Sequence, residues 1–303
     1  MNLRALHGVT AVLVTPYRDG ATGINEDVAG AIARRADAAG IHVLTALGNT
    51  AEMHQLDPSE RRCMLRAVAA GRSRALLLAG VAGSIGQLVT DAEYARDLGY
   101  DAAMLHEPPD PFGDGAGIVR YYEQVADRCP LPVVLYLRSA RVKGHDLQKL
   151  ARHPNIVAVK YARDDFHTLS TLVHDESAGP CVWINGLAES MVPMHAGLGV
   201  HAFTSGLANV YPEAALAMHT ASMAGDLNRL RELLGLIRPI EALRNEGNAR
   251  FNVSVLKEML RWNGIEAGGV RPPNSQLTEP ARARLHDLLR NWDETFASLA
   301  TPH

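Results

Sequence analysis

Residues 156–161 read Ile-Val-Ala-Val-Lys-Tyr, a continuous apolar run that carries one charged side chain close to its end. An unbroken apolar run of this length is typical of a strand in a parallel sheet that helices cover on both faces. Seven more such runs lie in the first two thirds of the chain, at residues 9–14, 41–47, 75–81, 102–106, 133–137, 181–185 and 200–205.

Helix signals fill the intervals between these runs. Asn25 is a suitable N-cap for a helix that ends at Gly40. Asp57, Pro58 and Glu60 stand in the order of an N-cap, a first-turn proline and a capping-box glutamate. Further helices are predicted at residues 84–98, 117–128, 145–152, 167–176, 189–197 and 212–223.

Eight strand–helix units by about residue 225 predict an α/β fold, a closed (β/α)8 TIM barrel. A doubly wound open sheet is the alternative, although no GxGxxG turn follows the first run. Beyond this point the pattern is purely helical, with helices predicted at 227–243, 249–262 and 278–297. We therefore expect a catalytic barrel at residues 1–225 and, at 226–303, a C-terminal helical extension packed on the barrel or on a neighbouring subunit. A separate functional domain is the alternative for the extension.

The composition excludes several classes of partner and cofactor. The 303 residues carry a formal net charge of −3, so neither nucleic acid nor a membrane surface is expected as a partner. No apolar run approaches the ~20 residues that cross a bilayer, and the first residues do not resemble a secretory signal. The three cysteines are far apart and the histidines show no HExxH spacing. A cytoplasmic protein without a catalytic metal is predicted.

Lysine is scarce, with only four among the thirty basic residues. Lys143 falls in a polar loop, and Lys149 and Lys257 fall in predicted helices, where lysine is usually solvated. Lys160 differs because it stands near the carboxyl end of the sixth predicted strand, the end at which (β/α)8 barrels place catalysis. Burial lowers the pKa of a lysine, and the neutral amine can attack a ketone. The alternative is a side chain that extends from the strand end into solvent.

Two further features lie at the same ends of predicted strands. Tyr136 belongs to the fifth strand, where its phenol could move protons to and from a substrate near Lys160, or could simply be part of the core. Residues 48–52, Gly-Asn-Thr-Ala-Glu, follow the second strand. Their backbone N–H groups and hydroxyl suit a carboxylate ligand, and an ordinary loop is the alternative.

Taken together, these segments resemble the dihydrodipicolinate synthase / N-acetylneuraminate lyase family from about residue 8 to residue 280. The motifs that carry the resemblance are the opening strand with Thr-Pro, the Gly-Thr-Thr-Gly-Glu loop, the third strand, and the strands of the catalytic tyrosine and the Schiff-base lysine. In this chain they correspond to residues 11–16, 48–52, 78–81, 135–136 and 157–160.

The resemblance implies a Schiff-base-forming lyase that acts on pyruvate or a sugar-derived 2-keto-3-deoxy acid, by aldol cleavage or condensation or by dehydration. Lys160 would form the imine, so no metal or organic cofactor is needed, and Tyr136 and Thr50 would assist catalysis. Gly48, Asn49 and Thr50 would bind the carboxylate of the small-molecule 2-keto acid. A homo-oligomer, either a tetramer or a dimer, is expected because many members of the family are tetramers.

Three more residues are candidates for contacts with the substrate. Ser205 resembles part of the Ser-Gly turn that closes the site in members acting on sugar acids. Arg141 is expected to bind a distal carboxylate, since a guanidinium matches that geometry, and Arg138 is the weaker candidate of the two. Either arginine could equally be a surface or interface charge.

Departures from the family pattern bear on the substrate. Asn49 and Ala51 replace a threonine and a glycine of the loop, and Ala51 lacks the backbone freedom of glycine. Residues 107–112 lack the Pro-Tyr-Tyr segment of dihydrodipicolinate synthases, which argues against a role in lysine biosynthesis. The remaining alternatives are a 4-hydroxy-tetrahydrodipicolinate synthase and a non-catalytic member that binds a keto acid.

Overall fold

The computed structural model describes residues 3–18, 21–175, 179–290, 292 and 294–296, and in it eight parallel strands close into a barrel in sequence order. The closed barrel confirms the predicted (β/α)8 fold, and the alternative of an open doubly wound sheet is wrong. The strands are β1 (Val9–Val12), β2 (Val43–Ala46), β3 (Leu76–Val81), β4 (Ala102–Leu105), β5 (Val133–Leu137), β6 (Ile156–Tyr161), β7 (Val182–Asn185) and β8 (Phe203–Ser205).

A helix follows each strand, and the N-caps of the first two helices are the residues predicted from the sequence. The Asn25 side chain accepts a hydrogen bond from the N–H of Val28, and the capping box of Asp57 and Glu60 is complete. The helices are α1 (Glu26–Ala39), α2 (Pro58–Gly71), α3 (Ile85–Asp97), α4 (Gly115–Arg128), α5 (Gly144–Ala151), α6 (Phe166–Val173), α7 (Val192–Ala196) and α8 (Pro212–Met223).

Two predicted helices need comment where they are compared with the structure. The segment at 189–197 divides into a 3-10 turn, Glu189–Met191, and the short helix α7. The predicted end of α6 at residue 176 lies outside the described residues.

The barrel has two cores because successive residues of a strand face opposite sides of the sheet. Val134 on β5 and Ala158 on β6 belong to the apolar cluster that fills the barrel interior. Leu135 and Val159, one position further along, belong to the larger cluster between the strands and the helices. The same alternation turns the next residues, Tyr136 and Lys160, inward at the carboxyl end of the barrel.

Three further helices, α9 (Leu227–Ala249), α10 (Asn252–Trp262) and α11 (Glu279–Leu289), complete the chain. The predicted end of the last one at residue 297 lies outside the described residues. Helix α9 runs six residues beyond its predicted end at 243 and contains a break, since Glu246, Gly247 and Asn248 have non-helical backbone angles. No helix among the described residues is both long and apolar enough to cross a membrane.

Candidate active site

A cavity of about 450 Å³ opens at the carboxyl end of the barrel. Active sites of (β/α)8 enzymes lie at this end, where the strand-to-helix loops meet. Its lining brings together four of the residues predicted from sequence: Asn49, Thr50, Tyr136 and Lys160.

Lys160 is a buried amine at the base of this cavity, with only 5% of its surface exposed. It is the register partner of Tyr136 on the neighbouring strand, and its Nζ lies 4.2 Å from the centre of the Tyr136 ring. Burial lowers the pKa of Lys160 to about 8, and the positive charge of Arg138 acts in the same direction. About a tenth of the Lys160 amine is therefore neutral and nucleophilic at pH 7, far more than for a lysine with its ordinary pKa.

The side chain of Tyr136 contacts two polar side chains, Asn49 and His106. Asn49 Nδ2 donates a hydrogen bond of 3.1 Å to Tyr136 Oη. Burial raises the pKa of Tyr136, while the charge of Arg138 and the hydrogen bond from Asn49 oppose that rise. The edge of the ring also meets the buried imidazole of His106, with 5.5 Å between ring centres. Tyr136 is consequently a neutral, oriented phenol beside the amine of Lys160.

The loop at residues 48–52 is folded tightly against the barrel wall. Gly48 is required there because a Cβ at this position would lie 2.4 Å from Val12 Cγ1. The next three residues form a 3-10 turn, Asn49–Ala51, and Thr15 Oγ1 donates to the carbonyl oxygen of Ala51 at 2.6 Å. The turn aims the side chains of Asn49 and Thr50 into the cavity.

Glu52 and Lys257 anchor this loop to the C-terminal helices. The expectation that Lys257 is solvated is wrong, because it is only 3% exposed and its Nζ lies 2.8 Å from Glu52 Oε1. Its Nζ also donates to the carbonyl oxygen of Gly269 at 2.6 Å. The sequence carries a signal for this burial, since α10 has apolar residues on most of its circumference: Val253, Val255, Leu256, Met259 and Leu260.

Arg141 does not join the predicted site residues in the cavity. Its Nη2 lies 2.9 Å from Glu107 Oε1, and its guanidinium donates to the carbonyl oxygens of Asp110 at 2.8 Å and Pro108 at 3.1 Å. The side chain thus braces the loop that follows β4. Arg138, the weaker candidate from sequence, is the arginine of this segment that lines the cavity.

Ser205 is also placed away from the cavity. Its Oγ donates to the carboxylate of Glu189 and accepts a hydrogen bond of 2.8 Å from the backbone N–H of Ala208. The alternation along β8 instead turns Thr204 into the cavity. The hydroxyl of this strand that faces the cavity is therefore that of Thr204, one residue before Ser205.

Sequence reasoning missed the contribution of the extension. Five polar residues from α9 and the start of α10 line the cavity opposite the barrel: Glu241, Arg244, Asn245, Asn248 and Asn252. Glu241, Arg244 and Asn245 recur at positions i, i+3 and i+4, the spacing of one helix face, and Asn248 lies in the break of α9. This polar spacing is a signal in the sequence for a face that meets the cavity, whereas the extension was predicted only to pack on the barrel or on a neighbouring subunit.

Metal ligands are not clustered in the part of the chain that the structure describes. No group of three or more histidine, cysteine, aspartate or glutamate side chains in it could hold a metal ion.

Comparisons with known proteins agree with this geometry. The model of the "Dihydrodipicolinate synthetase family" matches residues 5–292. The chain is 32% identical to a "Probable 5-dehydro-4-deoxyglucarate dehydratase 1" of Streptomyces avermitilis, over 94% of this chain and 92% of that one. It is 27% identical to a "4-hydroxy-tetrahydrodipicolinate synthase" of Exiguobacterium sp., over 95% and 98% of the two chains.

Solved structures show the same relationship. The crystal structure of dihydrodipicolinate synthase from Oceanobacillus iheyensis superposes with a TM-score of 0.92 at 27% identity, covering 96% of this chain and 97% of that chain. The enzyme from Bacillus clausii gives a TM-score of 0.91 at 28% identity, covering 95% and 98%. With the family model matching nearly its whole length, the chain belongs to the dihydrodipicolinate synthetase family and is a lyase.

Proposed function

We propose that this lyase forms a Schiff base between Lys160 and a 2-keto acid, and then cleaves a C–C or C–O bond of the bound acid. The observation that carries the proposal is the buried amine of Lys160, with its pKa lowered to about 8, beside the phenol of Tyr136 in one cavity. A buried amine of this kind is a nucleophile near neutral pH.

The first steps use these two side chains. The neutral amine of Lys160 attacks the keto carbon, and Tyr136 donates its proton to the carbonyl oxygen as the C–N bond forms. The carbinolamine then loses water and leaves an iminium ion. Because the iminium withdraws electrons, the hydrogens on the adjacent carbon, C3 of the acid, become acidic.

The bond-breaking step follows from that acidity. In a dehydration, the phenolate of Tyr136 removes a C3 proton, and the C4 hydroxyl takes that proton from Tyr136 and leaves as water. In an aldol cleavage, the phenolate of Tyr136 removes the proton of the C4 hydroxyl, the C3–C4 bond breaks to give an aldehyde and an enamine, and Tyr136 returns the proton to C3 of the enamine. Hydrolysis of the imine returns the amine of Lys160 and the ketone product.

The 48–52 loop suits the carboxylate of the 2-keto acid. The N–H groups of Ala51 and Glu52 donate within the loop, to the carbonyl oxygens of Gly48 and Asn49. Asn49 and Thr50 lie at the cavity wall, and the amide of Asn49 connects the loop to Tyr136. Hydrogen bonds from such donors to a carboxylate are stronger than those between neutral groups. We assign Arg141 and Ser205 to support of the surrounding loops, because their side chains are committed to Glu107 and Glu189.

Dehydration of a sugar-derived 2-keto-3-deoxy acid is the reaction we favour. Asn49 is an amide, which holds a phenol by hydrogen bonding but does not pass a proton onward as a hydroxyl does. Tyr136 must then return its proton to the substrate, which both reactions allow, so the preference for dehydration rests on a named relative. The similar protein from Streptomyces avermitilis carries the name of a dehydratase.

We further propose that the chain acts in the cytoplasm as a homo-oligomer, without a metal or organic cofactor. Family membership supports the oligomer and the absence of a cofactor, since an imine at Lys160 supplies the electron sink. We also propose that residues 1–225 are the catalytic barrel and 226–303 an extension that completes its site. Light scattering of the purified protein measures the oligomer, and inductively coupled plasma mass spectrometry measures its metal content.

Borohydride trapping tests the Schiff base directly. The protein is incubated with pyruvate, reduced with sodium borohydride, and examined by intact mass and by peptide mapping. The proposal expects a single pyruvate-derived adduct on Lys160. An adduct on another lysine, or none with pyruvate and several longer 2-keto acids on folded protein, contradicts it.

A further inference from the structure

We propose that His106 is a positioning residue for the lyase reaction, which holds the phenol of Tyr136 and the 48–52 loop in a fixed relation to each other. The inference rests on the proposed function, because it assumes that Tyr136 transfers protons and that the loop binds the 2-keto acid. His106 follows β4 directly, and only 2% of its surface is exposed. Two of its neighbours, Tyr136 and His54, line the cavity, although His106 itself does not.

The imidazole of His106 donates a hydrogen bond to the backbone at the start of the loop. Its Nε2 lies 3.0 Å from the carbonyl oxygen of Leu47, which can only accept, so Nε2 carries the proton. Burial first, and then the nearby His54, lowers the pKa of His106 to about 3. The ring is therefore neutral at physiological pH, and the backbone of Leu47 selects its tautomer.

The carbonyl that accepts this hydrogen bond belongs to a strained residue. Leu47 has a φ of 62°, in the left-handed region that residues with a side chain seldom adopt. Such a conformation persists only where the surrounding structure holds it. Leu47 is buried and directly precedes Gly48, so its backbone sets the direction in which the loop leaves β2. The hydrogen bond from His106 therefore helps to place Asn49 and Thr50.

Gly80 on β3 provides the space for this hydrogen bond. A Cβ at Gly80 would lie 2.0 Å from the carbonyl oxygen of Leu47 and 3.1 Å from His106 Nε2. The first distance is far too short for nonbonded atoms, so any larger residue displaces the carbonyl. A glycine inside a buried strand is typical of a site where another stretch of backbone approaches closely. The contact between His106 and Leu47 explains the glycine here.

The ring of His106 also packs against two aromatic rings of the cavity lining. The ring of Tyr136 is almost perpendicular to it, with 5.5 Å between the ring centres and 85° between the planes. The ring of His54 makes a similar contact, at 5.5 Å and 82°. Perpendicular packing at such distances is a favourable arrangement of aromatic rings. Because His54 lies two residues beyond the end of the loop, His106 contacts the chain on both sides of residues 48–52.

These contacts form a closed circuit around the phenol. His106 contacts the ring of Tyr136 directly. It is also connected to the phenol oxygen through the backbone of Leu47 and the side chain of Asn49, which donates at 3.1 Å. A shift of His106 therefore moves the loop and the phenol together. The rate depends on their relative position, since a misplacement of about 1 Å costs on the order of 10²-fold in catalysis.

Histidine combines the two kinds of contact, because it carries an N–H donor on a flat aromatic ring. Phenylalanine keeps the ring and loses the donor. Glutamine keeps an N–H donor at a similar reach and loses the ring. The substitutions His106→Phe and His106→Gln therefore separate the hydrogen bond to Leu47 from the ring contact with Tyr136.

The test uses pyruvate as the probe. The rate of deuterium exchange at C3 of saturating pyruvate in heavy water reports proton transfer at Tyr136. The pyruvate concentration that half-saturates borohydride trapping reports the loop. The NMR signal of Tyr136, in protein labelled with carbon-13 at the Cζ of tyrosine, reports the phenol without any substrate. Its loss in Tyr136→Phe identifies that signal.

Loss of the hydrogen bond should affect all three measurements. His106→Phe should slow the exchange about tenfold and raise the half-saturating concentration about threefold, the effect of leaving one buried carbonyl unpaired. Gly80→Ala should give the same changes although His106 is intact, and His106→Gln should recover most of both. The Tyr136 signal should shift or broaden in His106→Phe and Gly80→Ala. In the Tyr136→Phe background, His106→Phe should slow the exchange less than about twofold further, because residues that act through one another are not additive.

Matched controls separate positioning from general damage. His145→Phe replaces a histidine whose side chain is 78% exposed, and Gly235→Ala fills open space on the exposed face of α9. Both variants should leave the exchange, the trapping and the Tyr136 signal unchanged. Circular dichroism and thermal melting check the fold. If His106→Phe fails to fold, Gly80→Ala tests the same hydrogen bond.

The outcomes distinguish the inference from the proposed function. Folded His106→Phe and Gly80→Ala proteins that melt earlier but keep wild-type exchange, trapping and Tyr136 signal overturn the inference. Full additivity in the Tyr136→Phe background also overturns it. A pyruvate adduct on Lys160 in the same proteins then leaves the Schiff-base proposal standing. Conversely, a displaced Tyr136 signal in the variants, without any adduct on Lys160 in the wild type, supports the positioning role and contradicts the Schiff base.

Discussion

The Nζ of Lys160 lies 4.2 Å from the centre of the Tyr136 ring because the two residues are register partners on adjacent parallel strands. This pairing fixes the distance between the amine and the phenol by the backbone hydrogen bonds of the sheet rather than by loops. Sites built on strands are more rigid than sites built on loops. The amine also meets the ring face, which stabilises its protonated form, and yet burial lowers its pKa to about 8. Desolvation is thus the stronger effect.

Replacement of Lys160 by alanine is expected to abolish turnover while the fold persists. The side chain supplies the covalent nucleophile, so we expect a loss of at least about 10³-fold in kcat. Circular dichroism checks the fold, and trapping with pyruvate should give no adduct. Lys149→Ala, at an exposed lysine paired with Glu123, is the control and should be fully active. An active Lys160→Ala protein would rule out the mechanism.

The pH dependence of imine formation should report the lowered pKa of Lys160. The attacking species is the neutral amine, so the rate with pyruvate should increase about tenfold per pH unit at low pH and level off above about pH 8. A lysine with its ordinary pKa of 10.5 would show a rate that still rises at pH 10. Initial rates of adduct formation between pH 6 and pH 10 distinguish the two profiles.

Removal of the Tyr136 hydroxyl should slow the chemistry more than it weakens binding. We expect Tyr136→Phe to lower kcat by roughly 10²–10⁴-fold, the contribution of a general acid–base group, with KM changed only a few-fold. The ring remains, so packing against Lys160 and His106 should persist. Tyr121→Phe, at a half-buried tyrosine that donates to the carbonyl of Gly83, serves as the control. Wild-type turnover in Tyr136→Phe would exclude the proposed role.

Asn49 is predicted to act through Tyr136. Its amide donates to the phenol oxygen, which favours the phenolate form, so Asn49→Leu should raise the pKa of Tyr136 further and lower kcat about tenfold. Asn49→Thr, which keeps a donor, should recover much of that loss. The pH profile of kcat separates the two effects, since Asn49→Leu should shift its tyrosine-dependent limb to higher pH. No difference between the leucine and threonine variants would argue for a purely steric role.

Buried Glu189 should make the folded protein sensitive to pH. Burial first, and then the nearby carboxylate of Glu241, raises the pKa of Glu189 above that of an unfolded chain. The folded state therefore binds more protons, and its stability falls as pH rises from about 5 to 8. In Glu189→Gln that decline in Tm should be smaller by roughly 2–4 °C. Glu93→Gln, at an exposed position, should behave as the wild type, and an identical decline in both variants would contradict the prediction.

Much of the fold follows from local sequence patterns, namely apolar strand runs and helix caps, and these can be recognised without the structure. Each strand is a short continuous apolar run between helix caps, and the β6 run at residues 156–161 agrees with the structure at both ends. The caps of α1 and α2 depend on neighbouring residues only, so Asn25 and Asp57 are recognisable without tertiary context. The break in α9 at residues 246–248 falls within the gap that the sequence predicts between helices ending at 243 and beginning at 249.

The site is less predictable because it depends on which way side chains face and on contacts far apart in sequence. Lys160 and Tyr136 line the cavity, and both could be singled out from the sequence because their strand positions and the family resemblance agree. Ser205 does not line the cavity and Thr204 does, because a motif match does not determine which residues of β8 face inward. Arg244 was missed because it meets the cavity only through the packing of α9 against the barrel.

The ion pair between Lys257 and Glu52 joins residues that are 205 positions apart. It links the 48–52 loop, which we propose binds the carboxylate of the 2-keto acid, to helix α10. Arg271 and Asn274 donate to the same glutamate. During synthesis, the barrel strands leave the ribosome well before these partners do. Glu52 therefore lacks its partners Lys257, Arg271 and Asn274 until the last quarter of the chain has been synthesised, so the contacts that anchor the 48–52 loop form only at the end of translation.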